Sequence, residues 1–374
     1  MTESGMQIIN NKEKIGNIIF ALGVFLELLV MVTDHSSFME LPFRGRFTHV
    51  AFAIFCVKIL FTYYTKVQWG VLIASGILGA ASYLTCGDEY VVRTVVFIFA
   101  TKGIELKKVL QMILYGMLLG TLLNVGLSLL GIAGEIKTVA DFGRGGIETR
   151  YVLGFNHANN LHDVVWYILV ITLLLTHKKW DWKYYLLATI GNIGLFLLTA
   201  SRNGMIAIQL LIISCFLIKY FPKLKQMRFP YVLGGIGLGI CLWMTWLGGA
   251  YGAVNSKLAA FFDKFLTNRL EMIWEYAPVS AWKLFPEGRD LLYVDNGFAT
   301  LFFYYGYVVG IAYIVFLAYM LFRLYKKKVG IGLCVLVTTI FVTFIETTFI
   351  FNTSLLCNVA LIVIMLCWHD KQEA

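Results

Sequence analysis

Charge is what this sequence has least of: Asp, Glu, Lys and Arg make up 14% of its 374 residues against 59% hydrophobic, with a mean hydropathy of +0.76. A chain this poor in charge cannot clothe a globule in water-seeking side chains, which excludes a soluble domain. The poverty is uniform along the length, so no second, water-soluble unit is indicated and residues 1–374 read as a single polytopic membrane domain. Cysteine pairing is missing too. None of Cys56, Cys86, Cys215, Cys241, Cys334, Cys357 and Cys367 has CxxC spacing or a nearby His, so neither a disulfide nor a metal framework is expected, and no cofactor. The first apolar run, residues 15–33, lacks a small-residue exit of the A-x-A kind and is long enough to span, so it is expected to stay as a membrane helix. Two further features speak against a coupled transporter: no twofold internal repeat is visible, and buried charges within the spans are few (Glu27 and Lys58).

What is present is a series of apolar runs near residues 15–33, 48–65, 68–85, 90–101, 109–131, 161–176, 182–200, 203–220, 231–250, 297–322, 329–346 and 348–368. They predict an all-α integral membrane protein of about twelve transmembrane helices. The fourth run is short for a hydrocarbon layer of roughly 30 Å, and a re-entrant half-helix competes with a full span there.

With the amino terminus placed in the cytoplasm, eighteen of the thirty-one basic residues fall in cytoplasmic connections, close to helix ends, and an even span count returns the carboxyl terminus to the same side. The type of cation differs across the membrane. Sixteen of the eighteen inner cations are lysine, whereas eight of the twelve outer ones are arginine: Arg44, Arg46, Arg93, Arg144, Arg150, Arg202, Arg269 and Arg289. Lysine suffices as a topological anchor near anionic lipid, but the guanidinium is a planar five-donor fork that grips phosphate oxygens bidentately. The outer face therefore reads as built for phosphate, with pairing to the outer carboxylates as the alternative.

Two outer segments exceed ordinary connector length, residues 132–160 and 251–296. The second carries Leu258, Phe261, Phe262, Phe265, Leu266, Leu270, Ile273 and Trp274 at helical spacing, which predicts an amphipathic helix on the outer leaflet. Arg269 falls in that stripe, four residues after Phe265. It either snorkels to lipid phosphate or turns into a cavity over the bundle.

Polar residues concentrate at four places on this side. Arg150 precedes Gly154-Phe155-Asn156-His157-Ala158-Asn159; Ser201-Arg202-Asn203-Gly204 follows helix seven; Arg269-Leu270-Glu271-Met272-Ile273-Trp274 lies in the long segment; and Asp295-Asn296-Gly297-Phe298 opens helix ten. In that order they resemble the Wzy-type polysaccharide polymerases of bacterial surface-glycan assembly and, more distantly, the O-antigen ligases. That family shows an Arg before a G-F-x-H-P-N-like segment, an S-R-x-G turn, an R-L-x-x-W segment and a D-N-x-[FY] segment. Here Ala158 stands for the usual proline, and Trp274 comes one residue late.

The resemblance implies a GT-C-like glycosyltransferase with a large outer loop between helices nine and ten, set in a bacterial inner membrane with its active side extracytoplasmic. Its substrates would be a polyprenyl-pyrophosphate-linked glycan donor and a similarly linked acceptor. Membrane lipid, a chain-length regulator and a flippase are the further partners implied, and nucleic acid is not among them. The lipid pyrophosphate would leave as an anion beside fixed cations, for which Arg202 and Arg269 stand first, supported by Arg150 and Arg289. No D-x-D motif sits on the outer loops, so no divalent metal is asked for. His157 and Asp295 are the candidate general bases, each with an alternative as a helix cap; Glu346 at an outer bend is a third. Asn156, Asn159, Ser201 and Asn296 are candidate hydrogen-bonding partners for the substrates. Trp274, Tyr276 and Trp282 either stack on sugars or belong to the interfacial belt. A ligase moving finished glycan, or a lipid-linked glycan transporter, are the rival functions.

Overall fold

The computed structural model describes residues 3–141, 146–287, 294–347, 350 and 354–358. Arg144, Arg289, Cys367 and all of the apolar run 348–368 but residues 350 and 354–358 lie outside the described residues. The described chain is helical almost throughout, as a backbone in hydrocarbon must satisfy its own polar groups. The helices are α1 (Glu3–Asp34), α2 (Arg44–Leu60), α3 (Lys66–Cys86), α4 (Tyr90–Ala100), α5 (Leu106–Leu129), α6 (Ala158–Thr176), α7 (Trp182–Thr199), α8 (Arg202–Tyr220), α9 (Phe229–Asn255), α10 (Lys257–Leu266), α11 (Arg269–Tyr276), α12 (Gly297–Thr300), α13 (Gly306–Lys327) and α14 (Gly330–Ile345). Among the described residues, seven helical stretches are long and apolar enough to cross a membrane, so the protein is a multi-pass, all-α membrane protein.

One half of the bundle packs α1 against α2 and α5, and α4 against α2 and α3; the other groups α8, α9 and α14 with α6 and α7 beside α8. Phe20, Phe55 and Phe97 form the aromatic centre of the first half, with ring centroids 5.0 to 5.6 Å apart. A buried ion pair lies nearby: Arg93 Nη2 meets Glu27 Oε1 at 2.8 Å, and Glu27 Oε2 accepts the Leu355 amide at 2.8 Å. Both charges are thereby compensated where an isolated one would be costly.

The lysine-bearing connections gather at one end. Lys102 Nζ donates to Tyr63 O at 2.7 Å, Lys219 Nζ to Lys178 O at 2.6 Å, and Lys328 Nζ to Gln226 O at 3.0 Å. From this end α6 runs its 19 residues, roughly 28 Å at the α-helical rise, to the opposite end, where the long segments lie.

Three places depart from the sequence expectation. Residues 132–160 contain a hairpin, β1 (Lys137–Asp141) paired antiparallel with β2 (Ile147–Tyr151). The expected continuous helix from residue 297 is α12, a π turn at Leu301–Tyr305, and α13. Gly306 there has φ +87°, and a Cβ would stand 2.6 Å from Leu284 O; its absence lets the loop backbone dock, with Tyr307 N donating to Lys283 O at 2.9 Å. Lastly, the amphipathic stretch is two helices. Thr267 and Asn268 both adopt left-handed backbone, at φ 59° and 63°, and split the apolar stripe. On α10, Leu258, Phe261 and Phe265 face outward, the last 70% exposed, whereas Leu270 and Ile273 of α11 are fully buried.

Candidate functional site

At the end opposite the lysines lies a cavity of about 760 Å³. Its walls come from the four polar segments. The hairpin contributes Arg150, the start of α6 His157 and Asn159, the α7–α8 turn Ser201, Arg202 and Asn203, and the approach to α12 Asp295. The remainder is the end of α9 with α10 and α11, including Thr267, Asn268, Arg269, Glu275 and Tyr276. Of the residues expected at the site, Asn156 and Asn296 do not line it. Asn156 Nδ2 donates to Asp34 O at 2.8 Å, tying α1 to the start of α6. Asn296 is fully buried and caps α12, accepting the Ala299 amide at 2.8 Å and the Thr245 hydroxyl at 3.3 Å. Asp295 is thereby free of the cap role that its position suggests.

His157 does cap its helix. Its Nδ1 accepts the Asn159 amide at 3.1 Å. Burial first, then the charges of Arg150 and Arg269 against the opposing pull of Asp295, hold its pKa below the ordinary imidazole value. A neutral ring with Nδ1 accepting carries its proton on Nε2.

The arginines expected on the outer side differ in what they already hold. Arg44 pairs with Asp34 at 3.2 Å, Arg93 with Glu27, and buried Arg150 with Glu148 Oε2 at 2.9 Å. Arg269 is saturated. Its Nε donates to Ile345 O at 2.7 Å, Nη1 to Leu266 O at 3.2 Å, and Nη2 to Glu346 Oε1 at 3.0 Å and Asp295 Oδ2 at 3.3 Å. The amide oxygen of Asn203, oriented to the donors, completes the set at 2.8 Å from Nη1. All five N–H groups of this 6% exposed side chain are thus engaged. Arg202 is the contrast: exposed, on the cavity wall, and with no carboxylate partner among the described residues.

Arg202 also begins α8, whose N-cap Ser201 makes no side-chain cap bond because its hydroxyl donates to Asn159 Oδ1 at 2.8 Å. The first amides of α8 therefore keep their capacity for an anion, reinforced by the positive end of the helix dipole. Ala200 just before holds left-handed backbone at φ 51°, so strained residues flank the cavity on two sides. The carboxylates here are largely spent: Asp263 Oδ1 accepts the Leu270 amide at 2.7 Å, and Glu271 takes the amides of Ala253 and Val254. Glu275 is exposed and unpartnered among the described residues.

Of the aromatics, Tyr276 faces the cavity, while Trp282 stacks on Phe302 with centroids 5.0 Å apart and donates to Ala277 O. Asn203, Glu275, Thr267 and Asn268 line the cavity without being among the candidate residues of the sequence, although Asn203 stands inside the S-R-N-G turn and Thr267-Asn268 directly precede Arg269. Among the described residues no group of three or more His, Cys, Asp or Glu side chains is arranged to hold a metal ion. Comparison with known proteins found no matching family model, no curated relative and no similar solved structure.

Proposed function

We propose that the protein is a membrane glycosyltransferase that joins polyprenyl-pyrophosphate-linked oligosaccharide repeat units into a polysaccharide at the outer leaflet of a bacterial inner membrane. It would do so as a Wzy-type polymerase, in a GT-C-like arrangement of about twelve spans with both termini cytoplasmic. The observation that carries the reading is Arg202: an uncommitted guanidinium on the wall of a large cavity, at the open N-terminus of α8. A pyrophosphate is the ligand such a pair of features suits. That Arg150, Asn159, Ser201, Arg269 and Asp295, scattered over 146 positions, share the same cavity supports it further.

In the reaction an acceptor hydroxyl attacks the donor's anomeric carbon. The new C–O bond forms as the bond to the pyrophosphate oxygen breaks, and that oxygen leaves with the electron pair. Arg202 and the α8 amides stabilise the charge that develops there. The hydroxyl proton goes to a carboxylate. Asp295 fits this role better than His157: it lies on the cavity wall with its Oδ2 held by Arg269, whereas the one acceptor of neutral His157, Nδ1, is spent on the Asn159 amide.

Purified protein in nanodiscs, given lipid-pyrophosphate-linked repeat units, is expected to produce a ladder of longer glycans. An authentic substrate that yields no ladder sinks the proposal, and a single transfer to a different acceptor supports a ligase instead. Arg202→Lys is expected to slow extension by about two orders of magnitude while the protein still folds and inserts, since lysine cannot reproduce the fork.

A further inference from the structure

The contacts of Arg269 close on themselves. Glu346 Oε1 accepts from Arg269 Nη2 at 3.0 Å and from Asn159 Nδ2 at 3.1 Å. Asn159 Oδ1 in turn accepts from Ser201 Oγ at 2.8 Å, and two residues on, Asn203 accepts from Arg269. The circuit passes through the ends of four helices: α11 by Arg269, α14 by Glu346, α6 by Asn159 and α8 by the Ser201–Asn203 turn. Glu346 is 5% exposed and does not line the cavity, so it can act on a ligand only through its neighbours.

We propose that Glu346 is a positioning residue: by holding Arg269 and Asn159 it completes a hydrogen-bonded circuit that fixes the Ser201–Arg202 turn, so that Arg202 meets the anionic ligand while Arg269 stays within the frame. The inference rests on the reading of the cavity as a pyrophosphate site and divides the labour between two arginines that the sequence sets side by side. A guanidinium with all five donors engaged would have to break one of these bonds to reach a phosphate, and the two on Nη2 hold the carboxylates of Glu346 and Asp295. Arg202 abandons nothing. The use of Ser201 in the circuit also explains why α8 begins without its side-chain cap.

Inorganic pyrophosphate serves as the probe, with two readouts on the full-length protein in nanodiscs: the melting temperature without ligand, and pyrophosphate affinity measured well below it. Arg202→Lys is expected to melt like the wild type and to bind pyrophosphate at least about tenfold more weakly. Arg269→Lys, which breaks the circuit at both Glu346 and Asn203, is expected to melt several degrees lower and to weaken pyrophosphate binding in folded protein about as much as Glu346→Gln does. Glu346→Gln is expected to lower the melting temperature and, though it touches no ligand, to weaken pyrophosphate binding about tenfold in folded protein; Glu346→Asp is expected to recover part of both. A merely structural Glu346 would move the melting temperature and leave the affinity of folded protein unchanged, and that result overturns the proposal. So does an Arg269→Lys variant that melts normally and no longer binds pyrophosphate. A wild-type protein that binds pyrophosphate but extends no glycan brings down the polymerase reading and leaves the circuit standing.

Discussion

His157 shows how much a single hydrogen bond decides. Because Nδ1 accepts the Asn159 amide and Nε2 already carries the proton, protonating the ring must place a proton on Nδ1, which gives up the cap and sets a positive charge in a buried position facing Arg150 and Arg269. Its pKa in the folded protein therefore lies below the unfolded value of about 6.5. The sign follows from proton counting: above that unfolded value both states are neutral and the full stability is present, and as pH falls the unfolded chain takes up a proton that the folded one resists. The wild type is expected to lose more stability than His157→Asn between neutral pH and about pH 5, measured by denaturant unfolding in detergent; parallel curves would exclude the assignment. Asn also caps helices well, so the variant should match the wild type at neutral pH to within about 0.5 kcal/mol. That His157 both caps and faces the site was legible in its place before an apolar run. That Asn296, and not Asp295, caps α12 was not, because either residue type serves and the choice is made by Arg269, 26 positions upstream.

Among the elements, the apolar runs marked nearly every helix, since hydrocarbon admits little else and run length carries the information. What stayed hidden is where helices break. The π turn before Gly306 depends on a loop about 20 residues earlier docking against it, and the split between α10 and α11 rests on Thr267 and Asn268: asparagine tolerates left-handed backbone, but the β-branched threonine beside it gives no sign of it. The kink at the end of α9 is sharper still. Gly252 has φ 63° and ψ 177°, a region all but closed to side chains, and a Cβ there would stand 2.7 Å from Trp274 Cγ and 2.9 Å from Glu271 Oε2. Gly252→Ala is expected to destabilise by about 2 kcal/mol or more and to displace α11, lowering the thermal midpoint. An unchanged midpoint would show that α9 and α11 pack loosely.

Taken whole, the molecule is polarised between its two ends. Lysines crowd one, and the cavity, the hairpin and the outward apolar face of α10 occupy the other. The arginine-for-lysine asymmetry pointed to that division without showing which of these arginines are internally paired: among the described ones Arg44, Arg93, Arg150 and Arg269 are, and the partners of Arg93 and Arg269, 66 and 77 positions away, leave no local trace. Orientation in the cell is open to direct measurement. In a cysteine-free background, Val254→Cys, at a position 80% exposed beside the cavity, is expected to react with a membrane-impermeant maleimide in intact cells. Lys179→Cys, at the opposite end, should react only after permeabilisation. The reverse pattern would invert the topology and remove the outer-leaflet chemistry.

The pairing of Arg269 with Glu346 also bears on how the chain is made. The two are 77 positions apart, and α14, which ends at the carboxylate, is the last long helix among the described residues. At roughly 5–20 residues per second, the arginine leaves the ribosome several seconds before its partner exists. In the later part of that interval Asp295 can pair with it, but the circuit through Asn159 stays open until α14 has entered the membrane. The site is therefore completed last, when nearly all of the bundle is already in place.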